Sequence, residues 1–247
     1  MSGHSKWATI KHKKGAADAR RAKVFAKIAR QLEVAARDGG GDPSSNATLR
    51  TMVLKAKAAQ MNNDLIDRAI KRGTGQSDGG NYESITYEGY APGGVGLLID
   101  VLTDNRNRTS ADVRNVFSKL GGSMAEPGSV GWQFSRRGVI VASGGEDEVM
   151  MAALDAGADD VAAEGEYWRI TCDPSSLYEV RDALDAAGVK VESAESTMVS
   201  STVIEVTDAD DARKILRIVD ALEDNDDVQD VYGNFDIGDD IMEAVGG

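Results

Sequence analysis

The sequence predicts an α+β protein: an N-terminal three-helix domain plus two α/β domains, one of them a ferredoxin-like βαββαβ unit inserted in the other. Three observations predict it. Charge divides along the chain, with 16 Lys+Arg against 6 Asp+Glu in residues 1–75 (net +10) and 12 against 35 in residues 76–247 (net −23). Apolar residues recur at helical spacing as far as Gly73, and beyond it strand-like runs alternate with helical stretches. Glycine-rich breaks separate the two regimes. The implied boundaries are 1–80 for the basic helical domain, 81–135 with 200–247 for a discontinuous α/β domain, and 136–199 for the inserted one.

Residues 1–16 are basic and glycine-punctuated, with Trp7 and Ile10 as their large apolar side chains, and predict an arm that is extended or docked on a neighbour. From Ala17 to Arg37 the pattern is helical. Val24, Ile28, Leu32 and Ala35 form one stripe, and Arg20, Lys23, Lys27 and Arg30 form another almost opposite to it. Gly39-Gly40-Gly41-Asp42-Pro43 stops this helix. Ser44, Ser45 or Asn46 caps a second helix whose inner face is Leu49, Met52, Val53 and Ala56. Asn62 or Asn63 caps a third, with Leu65, Ile66, Ala69 and Ile70 inward and Arg68, Lys71 and Arg72 in the last turn before Gly73.

After the linker Gln76–Gly80, strands are expected over Ser84–Tyr90 and Val95–Leu102 around the Pro92-Gly93-Gly94 turn. A helix capped by Thr109 or Ser110 runs to Leu120 with Val113, Val116, Phe117 and Leu120 inward, and Ser129–Phe134 reads as a strand. The insert follows as strand Gly138–Ser143, helix Glu146–Ala156, strands Asp159–Ala163 and Tyr167–Cys172, helix Ser176–Ala187 and strand Val189–Ala194. Strand Thr202–Val206, helix Ala209–Leu222 and strand Val228–Ile237 complete the outer α/β domain.

Composition excludes several classes. The whole chain is acidic, with a net charge of −13 and a pI near 4.6, which at face value opposes a polyanionic partner. The split reverses that inference and localises it to the first thirty residues. No run approaches 18 consecutive apolar residues, and Met1–Trp7 lacks the apolar core of a signal peptide. The lone Cys172 makes neither an internal disulfide nor a cysteine zinc site. A cytoplasmic protein without a membrane partner is expected, a monomer being the simplest state while the sequence leaves oligomerisation open.

Catalytic constellations are missing. His4 and His12 lie in the basic arm with no carboxylate partner in view, and Cys172 ends a strand with no local histidine. There is no Walker A run and no G-x-S-x-G elbow. Gly73-Thr74-Gly75 follows a helix rather than a strand, and Asp224-Asn225-Asp226-Asp227 lacks the turn glycine and distal glutamate of a calcium loop. No catalytic residue, metal or cofactor is therefore assigned.

The basic segment carries the functional expectation. Between Lys6 and Arg30 stand nine cationic residues and one carboxylate, Asp18, with Trp7 offering a ring for stacking. The candidate nucleic-acid contacts are Lys6, Trp7, Lys11, His12, Lys13, Lys14, Arg20, Arg21, Lys23, Lys27 and Arg30, the alternative being a merely solvated lysine-rich face. Thr103–Thr109 leads from a strand into a helix N-terminus, where Arg106 and Arg108 are a possible secondary contact for an anion or else pair with Asp104 or Asp112. The turns at Tyr87–Gly94 and Ala125–Val130 face a partner or pack between domains.

Gly3-His4-Ser5-Lys6-Trp7, Ile10-Lys11-His12-Lys13-Lys14, Gly39-Gly40-Gly41-Asp42-Pro43, Arg68-Ala69-Ile70-Lys71-Arg72-Gly73, Tyr87-Glu88-Gly89-Tyr90, Leu102–Arg108 and Gly128-Ser129-Val130 occur in that order. With these motifs the chain closely resembles, end to end, the YebC/PmpR family of transcriptional regulators, to which the mitochondrial translational activator of cytochrome c oxidase is related. One departure is Met61-Asn62, where many members have Met-Pro. The resemblance implies a helical N-terminal domain, two α/β domains and no catalytic residues. It implies DNA-binding transcriptional regulation or, as the alternative, a translation factor that contacts ribosomal RNA and relieves stalling on the ribosome. The chain's polarity slightly favours a large RNA–protein target, since a body at −23 is repelled by an isolated duplex. A small-molecule sensor is a third reading, from fold analogy alone.

Overall fold

The computed structural model describes residues 17–245, the side chains of residues 17–20 and of Asp239 excepted. The helical unit is α1 (Ala17–Gly39), α2 (Ala47–Ala58) and α3 (Asn63–Gly73) around Ile28, Leu32, Ala36, Leu49, Ala56, Ile66 and Ala69. Of the candidate caps, Asn46 is the one used at α2 and Asn62 at α3. Asn46 serves two helices at once. Its Oδ1 accepts from Leu49 N at 3.0 Å, and its amide donates to Ala35 O and Gly40 O, both at 2.8 Å, closing the end of α1. Gly73 permits the close approach of α3 to α1, for a Cβ there would lie 2.2 Å from the Glu33 carbonyl oxygen.

The body begins with β1 (Glu83–Tyr90), β2 (Gly96–Thr103), α4 (Arg106–Leu120) and the short β3 (Ser123–Ala125). The insert is β4 (Phe134–Ser143), α5 (Glu146–Asp155), β5 (Asp160–Glu164), β6 (Tyr167–Cys172), α6 (Leu177–Ala186) and β7 (Lys190–Ser200). The chain then returns through β8 (Ile204–Val206), α7 (Ala209–Glu223), β9 (Val228–Gly233), β10 (Phe235–Ile237) and α8 (Asp239–Val245). The outer sheet has the order β3-β1-β2-β9 with antiparallel neighbours, and β8 pairs with β10 in parallel. The insert's sheet has the order β5-β6-β4-β7, antiparallel throughout, which is the ferredoxin-like arrangement of a split βαββαβ unit.

Each unit buries its own apolar cluster. Leu97, Ile99 and Val101 of β2 meet Val113 and Phe117 of α4 and Ile215, Ile218, Val219 and Leu222 of α7 in the body. In the insert Ile140, Ile170 and Cys172 meet Val149, Val180 and Leu184, so Cys172 is a small core side chain. Among the described residues no helix is long and apolar enough to cross a membrane.

Several elements differ from expectation. Residues Ser129–Phe134 are not a strand: the chain turns at Gly131–Gln133 and β4 starts at Phe134, because the Glu88 carboxylate gathers the backbone N–H groups of this turn. The expected strand Val228–Ile237 is two, broken at Asn234, whose side chain accepts from Gly96 N at 2.7 Å and donates to Gln133 at 2.9 Å. Helix α4 starts three residues before Thr109 with Asn105 as its cap, and Thr109 is buried. Strand β3 and helix α8 had no predicted counterpart.

Candidate nucleic-acid interface

Lys6, Trp7, Lys11, His12, Lys13 and Lys14, with His4, lie outside the described residues, as does the Arg20 side chain. Arg21, Lys23, Lys27 and Arg30 are placed, and the structure gives the last three a common address. They reach across to the C-terminal end of α7 and the turn that follows it. Lys23 Nζ lies 2.5 Å from Asp224 Oδ1 and 3.2 Å from Asp224 O. Lys27 Nζ donates to Glu223 O at 2.6 Å. Arg30 Nη1 donates to Asp226 O at 2.6 Å and pairs with Asp227 Oδ1 at 3.0 Å, while its guanidinium lies 5.3 Å from the Tyr82 ring centre.

The local reason lies at the end of α7. Its last turn holds no basic residue, so its final carbonyls and the negative pole of the helix lack a cation of their own. The spacing of 23, 27 and 30 puts three cations on one side of α1, and they supply what α7 lacks. The hydrogen bond that Lys23 donates to Asp224 is the chief influence on its ammonium; it outweighs burial and, with the charges of Asp224 and Asp226, holds the group above its ordinary pKa. Arg21 is exposed, and Val24, which belongs to the expected apolar stripe, is 46% exposed.

Asp227 is the centre of the contact. It is 5% exposed and accepts from Arg30, from Arg108 Nη2 at 2.7 Å, and from the hydroxyls of Thr109 at 2.8 Å and Thr103 at 3.2 Å. Burial opposes its ionisation most strongly, yet Arg108, Thr109 and Arg30 together hold its carboxyl below the ordinary carboxylate value. The Thr103–Thr109 loop therefore does hold an anion at the N-terminus of α4, and that anion is the protein's own. Arg108 also pairs with Asp104 at 2.9 Å, whereas the exposed Arg106 offers its carbonyl to Tyr87 Oη at 3.4 Å.

Sequence reasoning missed Glu33, Glu88 and the role of Asp224–Asp227. Glu33, 5% exposed, accepts from Arg72 Nε at 2.9 Å and from Gly80 N at 2.6 Å, tying the linker to the helical unit. Glu88 accepts from Gly128 N at 2.7 Å, Val130 N at 2.5 Å and Gly131 N at 2.9 Å, fixing the loop that presents Trp132, which is 71% exposed. The only signal for the acidic turn was its opposite sign to the α1 stripe. An open cleft of about 2110 Å³ lies between α1 and α2 and the sheets, lined by the cations Arg21, Lys55 and Arg136 and by the acids Asp100, Glu195 and Asp230. Its mixed charge favours no one class of ligand. Among the described residues no cluster of three or more His, Cys, Asp or Glu is arranged to hold a metal ion.

A basic helical unit ion-paired to an acidic α/β body with a ferredoxin-like insert defines a class that comparison with known proteins identifies. Residues 5–76 match the family described as the TACO1/YebC protein N-terminal domain, and residues 82–235 match the TACO1/YebC second and third domain. The chain belongs to the TACO1/YebC family, as its motifs implied. It is 54% identical over 251 residues to a protein of Rubrobacter xylanophilus, covering 100% of both chains, and 53% identical over 247 residues to one of Geobacter sulfurreducens, covering 99% of this chain and 100% of that one. Both relatives carry the name probable transcriptional regulatory protein. A crystal structure of a conserved hypothetical protein from Aquifex aeolicus is similar with a TM-score of 0.79 at 41% identity, over 90% of this chain and 93% of that one. The family relationship supports a regulatory role.

Proposed function

We propose that the protein is a non-enzymatic, nucleic-acid-binding regulator of gene expression, acting in the cytoplasm on transcription through DNA. The contacts are the arm residues Lys6, Trp7, Lys11, His12, Lys13 and Lys14, continued by Arg20, Arg21, Lys23, Lys27 and Arg30 on α1, with the exposed Arg106 secondary and Arg108 retained by Asp227 and Asp104. The observation that carries this reading is the charge split, +10 over residues 1–75 against −23 over the remainder. An acidic protein concentrates cations on one small unit, and lysines and arginines so placed neutralise phosphates and release their counterions. The names of the relatives agree with it.

The same −23 body favours a second reading, in which the basic unit contacts ribosomal RNA and the protein assists translation. Fluorescence anisotropy with a promoter duplex and with a ribosomal RNA fragment tests both. Binding is expected to weaken with salt at a log–log slope of roughly −0.9 per phosphate neutralised on duplex DNA. The variant K11E/K13E/K14E is expected to lose binding while its melting temperature stays unchanged, because it leaves the α1–α7 contacts intact. Wild-type binding by that variant removes the arm from the interface. Sedimentation of lysate with and without nuclease separates the two readings: co-migration with ribosomes selects translation.

A further inference from the structure

The contact between α1 and the end of α7 engages side chains that the proposed function needs elsewhere. Lys23, Lys27 and Arg30 occupy a stripe about 10.5 Å long, at roughly 1.5 Å of rise per residue. Along it they meet, in order, Asp224 Oδ1 at 2.5 Å, Glu223 O at 2.6 Å, Asp226 O at 2.6 Å and Asp227 Oδ1 at 3.0 Å. A row of carboxylate and carbonyl oxygens on a cationic helix face offers the same acceptor chemistry as the oxygens of a phosphodiester backbone. The same helix face cannot lie against both at once.

We propose that the acidic segment Glu223–Asp227 is a competitor held within the chain for the phosphate-binding face of α1, so that nucleic acid gains this face only when the helical unit leaves the end of α7. The proposal rests on the nucleic-acid reading above. Three features of the contact suit it to exchange. The pairs are polar and partly open to water: the Lys23 and Asp224 side chains are 43% and 76% exposed. The buried apolar residues of the helical unit and of the body fall into separate clusters, so each keeps its core when the two part. Asp227 keeps Arg108, Thr103 and Thr109 as partners when Arg30 departs, so the body loses no buried charge compensation outright.

Asp224 and Asp226 are therefore the adjustable part of the competitor, exposed and outside the core, whereas Asp227 is anchored in the body. An apparent dissociation constant scales inversely with the fraction of molecules whose binding face is open, so weakening the competitor strengthens binding.

The test compares wild type, D224N/D226N and the control D155N/D185N, which removes two exposed acids from the insert with the same change of net charge. Fluorescence anisotropy reads binding to a short DNA duplex and to a ribosomal RNA fragment of equal length. D224N/D226N is expected to bind about five-fold tighter or more than wild type, and the control to stay within about two-fold. In wild type, adding the nucleic acid that binds is expected to raise deuterium exchange across residues 218–230, the stretch that contains the acceptors of Lys23, Lys27 and Arg30 at Glu223, Asp224, Asp226 and Asp227. This second measurement needs no variant. Equal affinity of all three proteins, or unchanged exchange over 218–230 in a wild type that binds, overturns the competitor and leaves the nucleic-acid reading standing. Failure of every one of the three to bind either probe overturns both.

Discussion

Asp227 shows how a single buried carboxylate joins two units. At 5% exposure it neutralises Arg30 from the helical unit through Oδ1 and Arg108 from α4 through Oδ2, and Oδ2 also accepts from the hydroxyls of Thr103 and Thr109. Removing it takes the buried carboxylate from two guanidinium groups, which keep the exposed Asp104 and the Asp226 carbonyl, and from two buried hydroxyls. For a fully buried pair that loss is about 3–5 kcal/mol, and because Arg30 and Arg108 remain partly solvated we expect Asp227→Ala to cost about 2–3 kcal/mol in urea denaturation. Glu88 is the counterpart within the body. Burial is the largest influence on its carboxyl and opposes ionisation, but the N–H groups of Gly128, Val130, Gly131 and Ser129 together outweigh it and hold the pKa below 4.5. A depressed pKa stabilises the fold above the ordinary value and loses that contribution as pH falls through the folded value. Glu88→Gln is thus expected to cost about 1–3 kcal/mol at neutral pH. The gap to wild type should narrow below pH 4.5, as followed by urea melts across pH. Neither residue was legible from the sequence as a hub, because local spacing says nothing about partners 119 or 42 positions away.

At the scale of elements, the sequence was most legible where one face is apolar and one is wet. The inward sets Leu49–Ala56 of α2 and Val113–Phe117 of α4 lie as the periodicity places them. It was least legible where a polar side chain from elsewhere dictates the backbone. Asn105 rather than Thr109 caps α4, because the Thr109 hydroxyl is drawn inward to Asp227. Strand β9 stops at Gly233 because Asn234 turns its amide onto Gly96. Close approach of helices depends on such details too. Adding a methyl at Gly73 puts a carbon 2.2 Å from Glu33 O, where only backbone movement relieves the clash. Gly73→Ala is therefore expected to cost about 1–3 kcal/mol by overpacking, read as a lowered melting temperature, whereas the exposed Gly75 sits in a left-handed turn and touches nothing that a helix must approach.

Across the whole molecule, charge governs how the helical unit sits on the body. Lys23, Lys27 and Arg30 meet the end of α7, and Lys55 approaches Asp230 at 3.9 Å. Partly exposed pairs of this kind weaken as the Debye length falls from about 10 Å at 0.1 M salt to about 3 Å at 1 M. We therefore expect 1 M NaCl to increase proteolytic cleavage in the linker Gln76–Gly80 while the melting of the α/β body changes little; equal protection at both salt concentrations would argue that the docking is not electrostatic. The basic unit's net +10 is partly spent inside the molecule, so the charge available to a polyanion differs between docked and undocked forms. The family relationship and the split in charge point to a regulator, and the docked geometry states the condition under which its α1 cations are accessible.

By itself the sequence determined the three helices of the basic unit, the ferredoxin-like order of the insert and the segregation of charge, because periodicity and composition are properties of neighbouring residues. It also determined that Lys23, Lys27 and Arg30 share one face of α1, since helical geometry fixes which side chains are adjacent. What covers that face was decided by the tertiary structure alone. The helix dipole and unsatisfied carbonyls at the end of α7 acquire force on α1 only once folding brings together residues about 200 positions apart in the chain.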